Sequence, residues 1–159
     1  RLRPIYVATA TARDPEMAER IARHRARRGS LWQTIEEPLA LPALIRRIAR
    51  EDRALLVDGL GLWLANLLAH QRDSISAARA LVAAVSEAPG LVVLVSEEVG
   101  LGIVPANALA RRFVDLAGEL NQSLAAVCAS VVFVAAGLPL ALKGPLPFTP
   151  SQSTLFARS

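Results

Sequence analysis

Short apolar segments alternate with segments of helical periodicity along most of the chain. Five segments have the composition of strands: residues 4–10, 31–37, 54–58, 90–98 and 131–137. Five others have the spacing of helices: residues 14–29, 42–52, 59–70, 74–88 and 105–129. The third of these segments begins with a short loop. Most of the strand segments are apolar without alternation, which is typical of strands buried on both faces of a parallel sheet. The pattern therefore predicts an α/β fold, a mostly parallel sheet with helices on both faces.

The first two helical segments carry clear start and stop signals. Asp14 is suited to the N-cap of the first helix, Pro15 to its first helical position and Gly29 to its stop. Pro42 is expected to open the second helix. These signals predict a basic helix between Pro15 and Gly29, directly after the first strand.

In an open α/β sheet, ligands bind beyond the carboxyl ends of the strands, so the residues at those ends are the candidate site. Thr9 ends the first strand between two alanines, which leave room for a ligand. Asp58 ends the third strand, where an acid is suited to hold Mg²⁺ directly or through water. An acid at that point is also common as a strand boundary or helix cap. Residues 96–98 add a serine and two acids.

His24 lies among arginines on the predicted basic helix. It shares a helical stripe with Met17 and Ile21, and Arg20 and Arg28 lie one turn before and after it. Arginines in this arrangement can grip phosphate oxygens, which suits a histidine that attacks phosphorus or binds a nucleotide phosphate. The alternative is an incidental histidine on a solvated basic face, and the pattern alone leaves both open.

Length and composition narrow the classes of function. The 159 residues fit one domain, expected over residues 1–143, with an irregular tail over 144–159. No apolar run approaches the roughly 20 residues of a membrane span, and no signal-peptide core is present, so a cytoplasmic protein is expected. A net charge of +4 with only 4% aromatic residues and no groove-reading motif favours a small polyanion over nucleic acid as the partner. Cys128 and His70 are both expected to be structural.

Taken together, four segments resemble one family: YVATATARDPEMAERIARHRARRG, WQTIEEP, LLVDGLGLWLANLL and the stretch from LVSEEVGLGIVPANALARRF to GLPLALK. The family is the bifunctional adenosylcobinamide kinase/adenosylcobinamide-phosphate guanylyltransferases of cobalamin biosynthesis. The resemblance runs from about Ile5 to Lys143. Its most specific part is the block EVGLGIVPANALARRFVDLAGELNQ.

The resemblance implies a P-loop NTPase-like fold, a homotrimer and a two-step transferase. The enzyme would phosphorylate adenosylcobinamide with ATP or GTP. A histidine would then attack the α-phosphorus of GTP, release pyrophosphate and pass GMP to adenosylcobinamide phosphate, giving adenosylcobinamide-GDP. His24 is similar in position to that histidine, and a covalent intermediate of this kind divides one difficult displacement into two.

The resemblance also implies roles for other residues of this chain. Ala8, Thr9 and Ala10 would line the nucleotide site, and Glu36 would contact the nucleotide. Asp58 would serve the nucleotide and its Mg²⁺ as a Walker-B-like acid. Four residues would follow the histidine around the phosphates or base: Arg25, Ala26, Arg27 and Arg28.

The largest departure from the family lies at the front of the sequence. Family members begin with a strand and a loop of the type Gly-x-x-x-x-Gly-Lys-Ser, which cradles phosphates, and nothing here matches it. We therefore expect the sequence to be a fragment, and kinase turnover only in a chain that carries the upstream loop. The alternative is a non-catalytic binding or assembly relative that has lost the loop. Binding of duplex nucleic acid by the basic helix is a third, least favoured, possibility.

Two smaller departures concern the strand ends. Gly59 and Gly61 stand where relatives more often have Cys and Thr, which alters the hydrogen bonding around Asp58. Glu97 stands where relatives usually have Asn, and an added acid would either repel phosphate or join a metal shell.

Overall fold

The computed structural model describes residues 2–11, 15–28 and 31–146. Its main sheet has four parallel strands in the order β2-β1-β3-β4. The strands are β1 (Arg3–Ala8), β2 (Gln33–Glu36), β3 (Arg53–Asp58) and β4 (Leu91–Val95). The helices are α1 (Pro15–Arg28), α2 (Leu41–Ile48), α3 (Leu60–Ala69), α4 (Ser74–Ser86) and α5 (Ala108–Val127). The predicted α/β fold with a mostly parallel sheet is confirmed.

The hydrophobic core lies between one face of the sheet and helices α2 to α5. Ile5, Val7, Leu55 and Val57 alternate along β1 and β3 and are all nearly inaccessible to solvent. Against them pack the largest buried residues of the helices: Leu41, Ile45, Leu60, Trp63, Leu64, Leu81 and Leu120. Burial of these side chains supplies most of the stabilisation, at about 25 cal/mol per Å² of apolar surface.

Strand β4 is less buried than its continuously apolar sequence predicts. Val92 and Leu94 pack against the core, whereas Leu91, Val93 and Val95 on the opposite face are 49%, 43% and 40% exposed. The expectation of burial on both faces is therefore wrong for this strand among the described residues. Apolar content alone does not reveal whether a second layer covers the outer face.

The helix boundaries follow the local capping chemistry. Helix α1 begins at Pro15 and ends at Arg28 as predicted, while Asp14 and Gly29, the proposed cap and stop, lie outside the described residues. Helix α5 begins three residues later than predicted, because the Asn107 side chain accepts hydrogen bonds from the N–H groups of Leu109 and Ala110.

Helix α2 is shorter than predicted. It ends at Ile48 rather than continuing to residue 52, and Ala49 is its extended C-cap. The N–H of Arg53 then bonds to the carbonyl of Arg50, which closes the turn that leads into β3.

The last predicted strand does not join the parallel sheet. Strand β5 (Val131–Ala135) instead pairs antiparallel with β6 (Leu138–Lys143), a strand that the sequence pattern did not predict. The two residues between them, Ala136 and Gly137, both have positive φ, which suits a tight hairpin turn. Lys143, the only lysine, donates to the carbonyls of Ala125 and Ala126 near the end of α5 and so ties the hairpin to that helix.

Of the irregular tail expected over residues 144–159, only residues 144–146 belong to the described part of the chain, because residues 147–159 lie outside it. None of the helices in the described ranges is both long enough and apolar enough to cross a membrane.

Asp73 caps α4 and gives a pH-dependent contribution to stability. Its carboxylate accepts hydrogen bonds from the backbone N–H and the hydroxyl of Ser76, and these bonds lower the pKa of Asp73 below its ordinary value of 3.8. The ionised carboxylate is thus the stabilising form. Its contribution is complete above the ordinary pKa and is lost as the pH falls through the lower, folded-state pKa.

We expect urea unfolding to show this titration directly. The stability advantage of the wild type over Asp73→Ala should be constant near neutral pH and should shrink as the pH falls below about 4. Asp73→Asn, which keeps an uncharged capping oxygen, should hold its advantage over Asp73→Ala across the same range. A wild-type advantage that does not change down to pH 2 would contradict the assignment.

Candidate functional site

The register of the sheet aligns the carboxyl ends of four strands in one row. Ala8 lies beside Glu36 on one side and beside Asp58 on the other, and Asp58 lies beside Val95. Residues paired in a parallel sheet point to the same face, so this row faces away from the core formed by Ile5 and its neighbours. Three of the predicted site residues, Ala8, Glu36 and Asp58, are therefore adjacent.

Asp58 is held by a residue that the sequence reasoning missed. The buried Tyr6 hydroxyl donates a hydrogen bond to Oδ2 of Asp58, and the Tyr6 ring meets Trp32 edge-on with 6.4 Å between ring centroids. The other carboxylate oxygen, Oδ1, has no hydrogen-bond partner among the described residues. The available signal was spacing: Tyr6 lies two residues before Ala8 and therefore on the same face of β1.

Thr9 directly follows Ala8 of this row, but its side chain is buried inside the protein. The residue is 0% exposed, and its hydroxyl both donates to the carbonyl of Gly59 at 2.7 Å and accepts from the N–H of Gly59 at 2.9 Å. Its backbone N–H bonds to the carbonyl of Asp58, and its carbonyl accepts from the buried amide of Asn66. Thr9 therefore ties β1 to the turn that follows Asp58.

Helix α3 extends this polar network to the loop after β2. The amide of Asn66 also donates to the carbonyl of Pro38 at 3.3 Å, and the indole N–H of Trp63 donates to the carbonyl of Leu39 at 3.0 Å. Buried polar groups that are satisfied in this way hold neighbouring backbone segments in one arrangement.

A cavity of about 370 Å³ opens beside the row, between α1 and the ends of β1 and β2. Its lining includes Ala10, Thr11, Ala18, Ile21, Arg25 and Glu36. The predicted residues Ala10, Arg25 and Glu36 thus share one space. Across it Nη2 of Arg25 lies 2.5 Å from Oε1 of Glu36, and both side chains are 59% exposed.

The remaining predicted residues of α1 are placed by their backbone only. Position 24 follows Ile21 by about one helical turn and directly precedes Arg25, so its backbone belongs to the segment that walls the cavity. Ala26 is exposed. The side chains of His24, Arg27 and Arg28 lie outside the described residues, and their proposed roles stay predictions.

The loop after β4 is fixed by α5. The Ser96 hydroxyl donates to Oδ1 of Asn121 at 2.7 Å, and Nδ2 of Asn121 donates to the carbonyl of Glu97 at 3.4 Å. Glu98 accepts a hydrogen bond from the N–H of Gly100 within the same loop. The conspicuous sequence block that contains Asn121 therefore holds the strand end next to Asp58.

Two residues expected to be structural occupy structural positions. His70 is the exposed C-cap of α3, about 15 Å along the helix axis from the end near Asp58. Cys128 is the half-buried C-cap of α5, and burial raises the pKa of its thiol above the ordinary value of 9.0. The thiol is therefore protonated near neutral pH and is a poor nucleophile.

Within the described side chains, no three His, Cys, Asp or Glu residues come together in a group that could hold a metal ion. A cation at this edge would depend on Asp58 together with oxygens supplied by a ligand or water.

Comparison with known sequences decides the family. The sequence profile of the family described as cobinamide kinase/cobinamide phosphate guanyltransferase matches residues 1–142. The chain belongs to that family. The resemblance drawn from the sequence segments is thereby confirmed.

Two relatives of this family member cover most of its length. The bifunctional adenosylcobalamin biosynthesis protein CobP of Pseudomonas aeruginosa is 52% identical over an aligned length of 141 positions, and the alignment covers 87% of this chain and 82% of the relative. The bifunctional adenosylcobalamin biosynthesis protein CobU of Salmonella typhimurium is 38% identical over an aligned length of 154 positions, and the alignment covers 87% of this chain and 85% of the relative.

Proposed function

We propose that this chain is a bifunctional cobinamide kinase and guanylyltransferase of adenosylcobalamin biosynthesis, and that His24 carries GMP between GTP and adenosylcobinamide phosphate. Family membership supports the reaction class. The observation that supports the proposed site is the row of Glu36, Ala8 and Asp58 across the strand ends, with the cavity lined by α1 beside it. This arrangement brings a basic helix to the strand ends where α/β proteins bind their ligands.

The proposed chemistry is two displacements at one phosphorus atom. A ring nitrogen of His24 attacks the α-phosphorus of GTP, a nitrogen–phosphorus bond forms, and the bond to the β-phosphate oxygen breaks. The electron pair of that bond leaves with pyrophosphate, and the imidazole loses its remaining ring proton. An oxygen of adenosylcobinamide phosphate then attacks the same phosphorus, and the imidazole takes up a proton as it leaves. The products are adenosylcobinamide-GDP and free histidine.

Arg25 is suited to stabilise the phosphate charge during both steps. Its ion pair with Glu36 is largely exposed, and exposed ion pairs contribute at most about 1 kcal/mol. A triphosphate that offers two oxygens to the guanidinium can therefore replace Glu36 as its partner. Glu36 would then be released to contact the nucleotide.

Asp58 fits the role of a Mg²⁺-associated acid. Mg²⁺ is usually held by one or two carboxylates, with phosphate oxygens and water completing its shell. The Tyr6 hydroxyl fixes one oxygen of Asp58 and leaves Oδ1 without a partner among the described residues. When bound there with the nucleotide, Mg²⁺ would neutralise charge on the phosphates.

Thr9 is proposed to position the site rather than to contact the nucleotide through its side chain, because its hydroxyl is engaged by Gly59. The phosphorylation of adenosylcobinamide by ATP or GTP and the homotrimer are proposed from the family resemblance alone, and the cytoplasmic location is proposed from the short apolar runs of the sequence.

The proposed function is tested by labelling the protein with GTP and Mg²⁺. Label at the α-phosphate should become attached to the protein as an acid-labile, GMP-sized addition in intact mass, with one pyrophosphate released for each adduct. Label at the γ-phosphate should leave with pyrophosphate. No adduct under conditions where GTP binds would favour the non-catalytic alternative, and retention of the γ-label would contradict guanylyl transfer.

A further inference from the structure

Glu97 reaches from the end of β4 to the start of α3. Its Oε2 accepts a hydrogen bond from the backbone N–H of Gly61 at 3.1 Å. Gly61 is the second residue of α3, whose N-cap residue, Gly59, provides no side-chain cap. The first N–H groups of a helix have no partners within the helix, so an outside carboxylate can satisfy them.

We propose that Glu97 is a positioning residue: it caps α3 from the neighbouring strand and thereby fixes the turn that follows Asp58. This inference rests on the proposed function for its catalytic consequence, but the contact itself can be tested without it. The helix N-terminus also carries partial positive charge, which favours an ionised carboxylate at this place.

The space for this carboxylate exists because residue 61 is glycine. A Cβ atom on residue 61 would lie 2.3 Å from Oε2 and 3.0 Å from Cδ of Glu97. The first distance is too short for non-bonded atoms and the second is tight, so a side chain at position 61 would displace the carboxylate. Gly59 is also close, since a Cβ there would lie 3.5 Å from Oε1 of Glu97. The two glycines and the glutamate form one packed unit.

The backbone of Glu97 is itself held by α5, so its side chain extends to Gly61 from a fixed position. Asn121 on α5 bonds to the Glu97 carbonyl and to the hydroxyl of Ser96. Thr9 holds Gly59 from the β1 side through two hydrogen bonds. The turn after Asp58 is therefore held from both neighbouring strands, by Thr9 from β1 and by Glu97 from β4.

A double-mutant cycle in unfolding tests the contact. In the Glu97→Ala variant, which lacks the carboxylate, Gly61→Ala should stabilise the protein, because alanine is a better helix former than glycine. In the wild type the same change also expels the carboxylate, so the gain should be cancelled or reversed. We expect the effects of Gly61→Ala on the folding equilibrium constant to differ by about fivefold or more between the two backgrounds. Equal effects would overturn the proposed contact.

The positioning role is tested by the Mg²⁺ dependence of GMP-adduct formation. Glu97→Ala and Gly61→Ala should each raise the Mg²⁺ concentration for half-maximal rate by about three- to tenfold, and the double variant should be no worse than either. Glu97→Gln keeps an acceptor oxygen for Gly61 and should recover most of the loss.

Two outcomes would refute this role. If Glu97→Gln is as impaired as Glu97→Ala while Gly61→Ala is normal, the charge itself acts on the phosphates or the metal. If the Mg²⁺ dependence is the same in all variants, Glu97 does not position the site. If no adduct forms even in the wild type, the proposed function fails, and the unfolding cycle still decides whether Glu97 caps α3.

Discussion

His24→Ala should abolish the acid-labile GMP adduct, with a fall in the rate of adduct formation of at least about a thousandfold. The physical reason is that the proposed intermediate is a bond to the imidazole nitrogen, and alanine offers no nucleophile in its place. Intact mass after incubation with GTP and Mg²⁺ measures the result. Thermal unfolding of the same sample shows whether the variant has kept its fold.

The chain contains a matched control for this experiment, because it has only two histidines. His70 is the exposed C-cap at the far end of α3, and His70→Ala removes the same chemical group from a place remote from Asp58. We expect this variant to form the adduct at close to the wild-type rate. An adduct that persists in His24→Ala, or one that is lost only in His70→Ala, would rule out His24 as the nucleophile.

Thr9→Val should lower the free energy of unfolding by about 2–4 kcal/mol. Valine has nearly the same shape, but it leaves the N–H of the buried Gly59 without its hydrogen-bond partner and removes one of the two hydrogen bonds to the Gly59 carbonyl, which keeps the bond from the N–H of Trp63. The unsatisfied buried N–H costs about 1–3 kcal/mol, and the lost hydrogen bond to the carbonyl costs about 0.5–1.5 kcal/mol. For a domain of this size, the melting temperature should fall by about 5–15 °C.

Two variants separate the stability effect of the Thr9 hydrogen bonds from the stability effect of its side-chain volume. Thr9→Ser keeps the hydroxyl and loses one methyl group, so its cost should be close to 1 kcal/mol. Thr34→Val makes the same chemical change on β2, at a half-buried residue with no side-chain hydrogen bond among the described contacts, and should be almost neutral. Equal destabilisation by the two valine substitutions would contradict a stabilising role for the hydrogen bonds between Thr9 and Gly59.

The parts of the fold that were predictable are those with strong local signals. The Pro15 start and the arginine-rich run fix α1, and the apolar run that ends in Asp58 fixes β3. The hairpin of β5 and β6 was missed because the choice between joining the sheet and turning back depends on a two-residue turn at Ala136 and Gly137. That turn has no Asn-Gly or Asp-Gly signature.

The candidate site was predictable in outline but not in its contacts. The carboxyl ends of parallel strands meet at one edge, and this rule alone brings Ala8 and Asp58 together. The hydrogen bond between Tyr6 and Asp58 depends on the register of β1 against β3, which composition does not specify. The departures at Gly61 and Glu97 looked unrelated because 36 positions separate them, yet their atoms are in contact.

The shared register of the strands limits how this protein can vary in evolution. Adding one residue within β3 would shift Asp58 by about 3.3 Å along the strand and turn its side chain to the opposite face. Ala8 and Glu36 would stay where they are, so the row would be broken at its centre. Gains and losses of single residues should therefore be rare within these strands across natural sequences and should collect instead in the loops at the amino edge of the sheet.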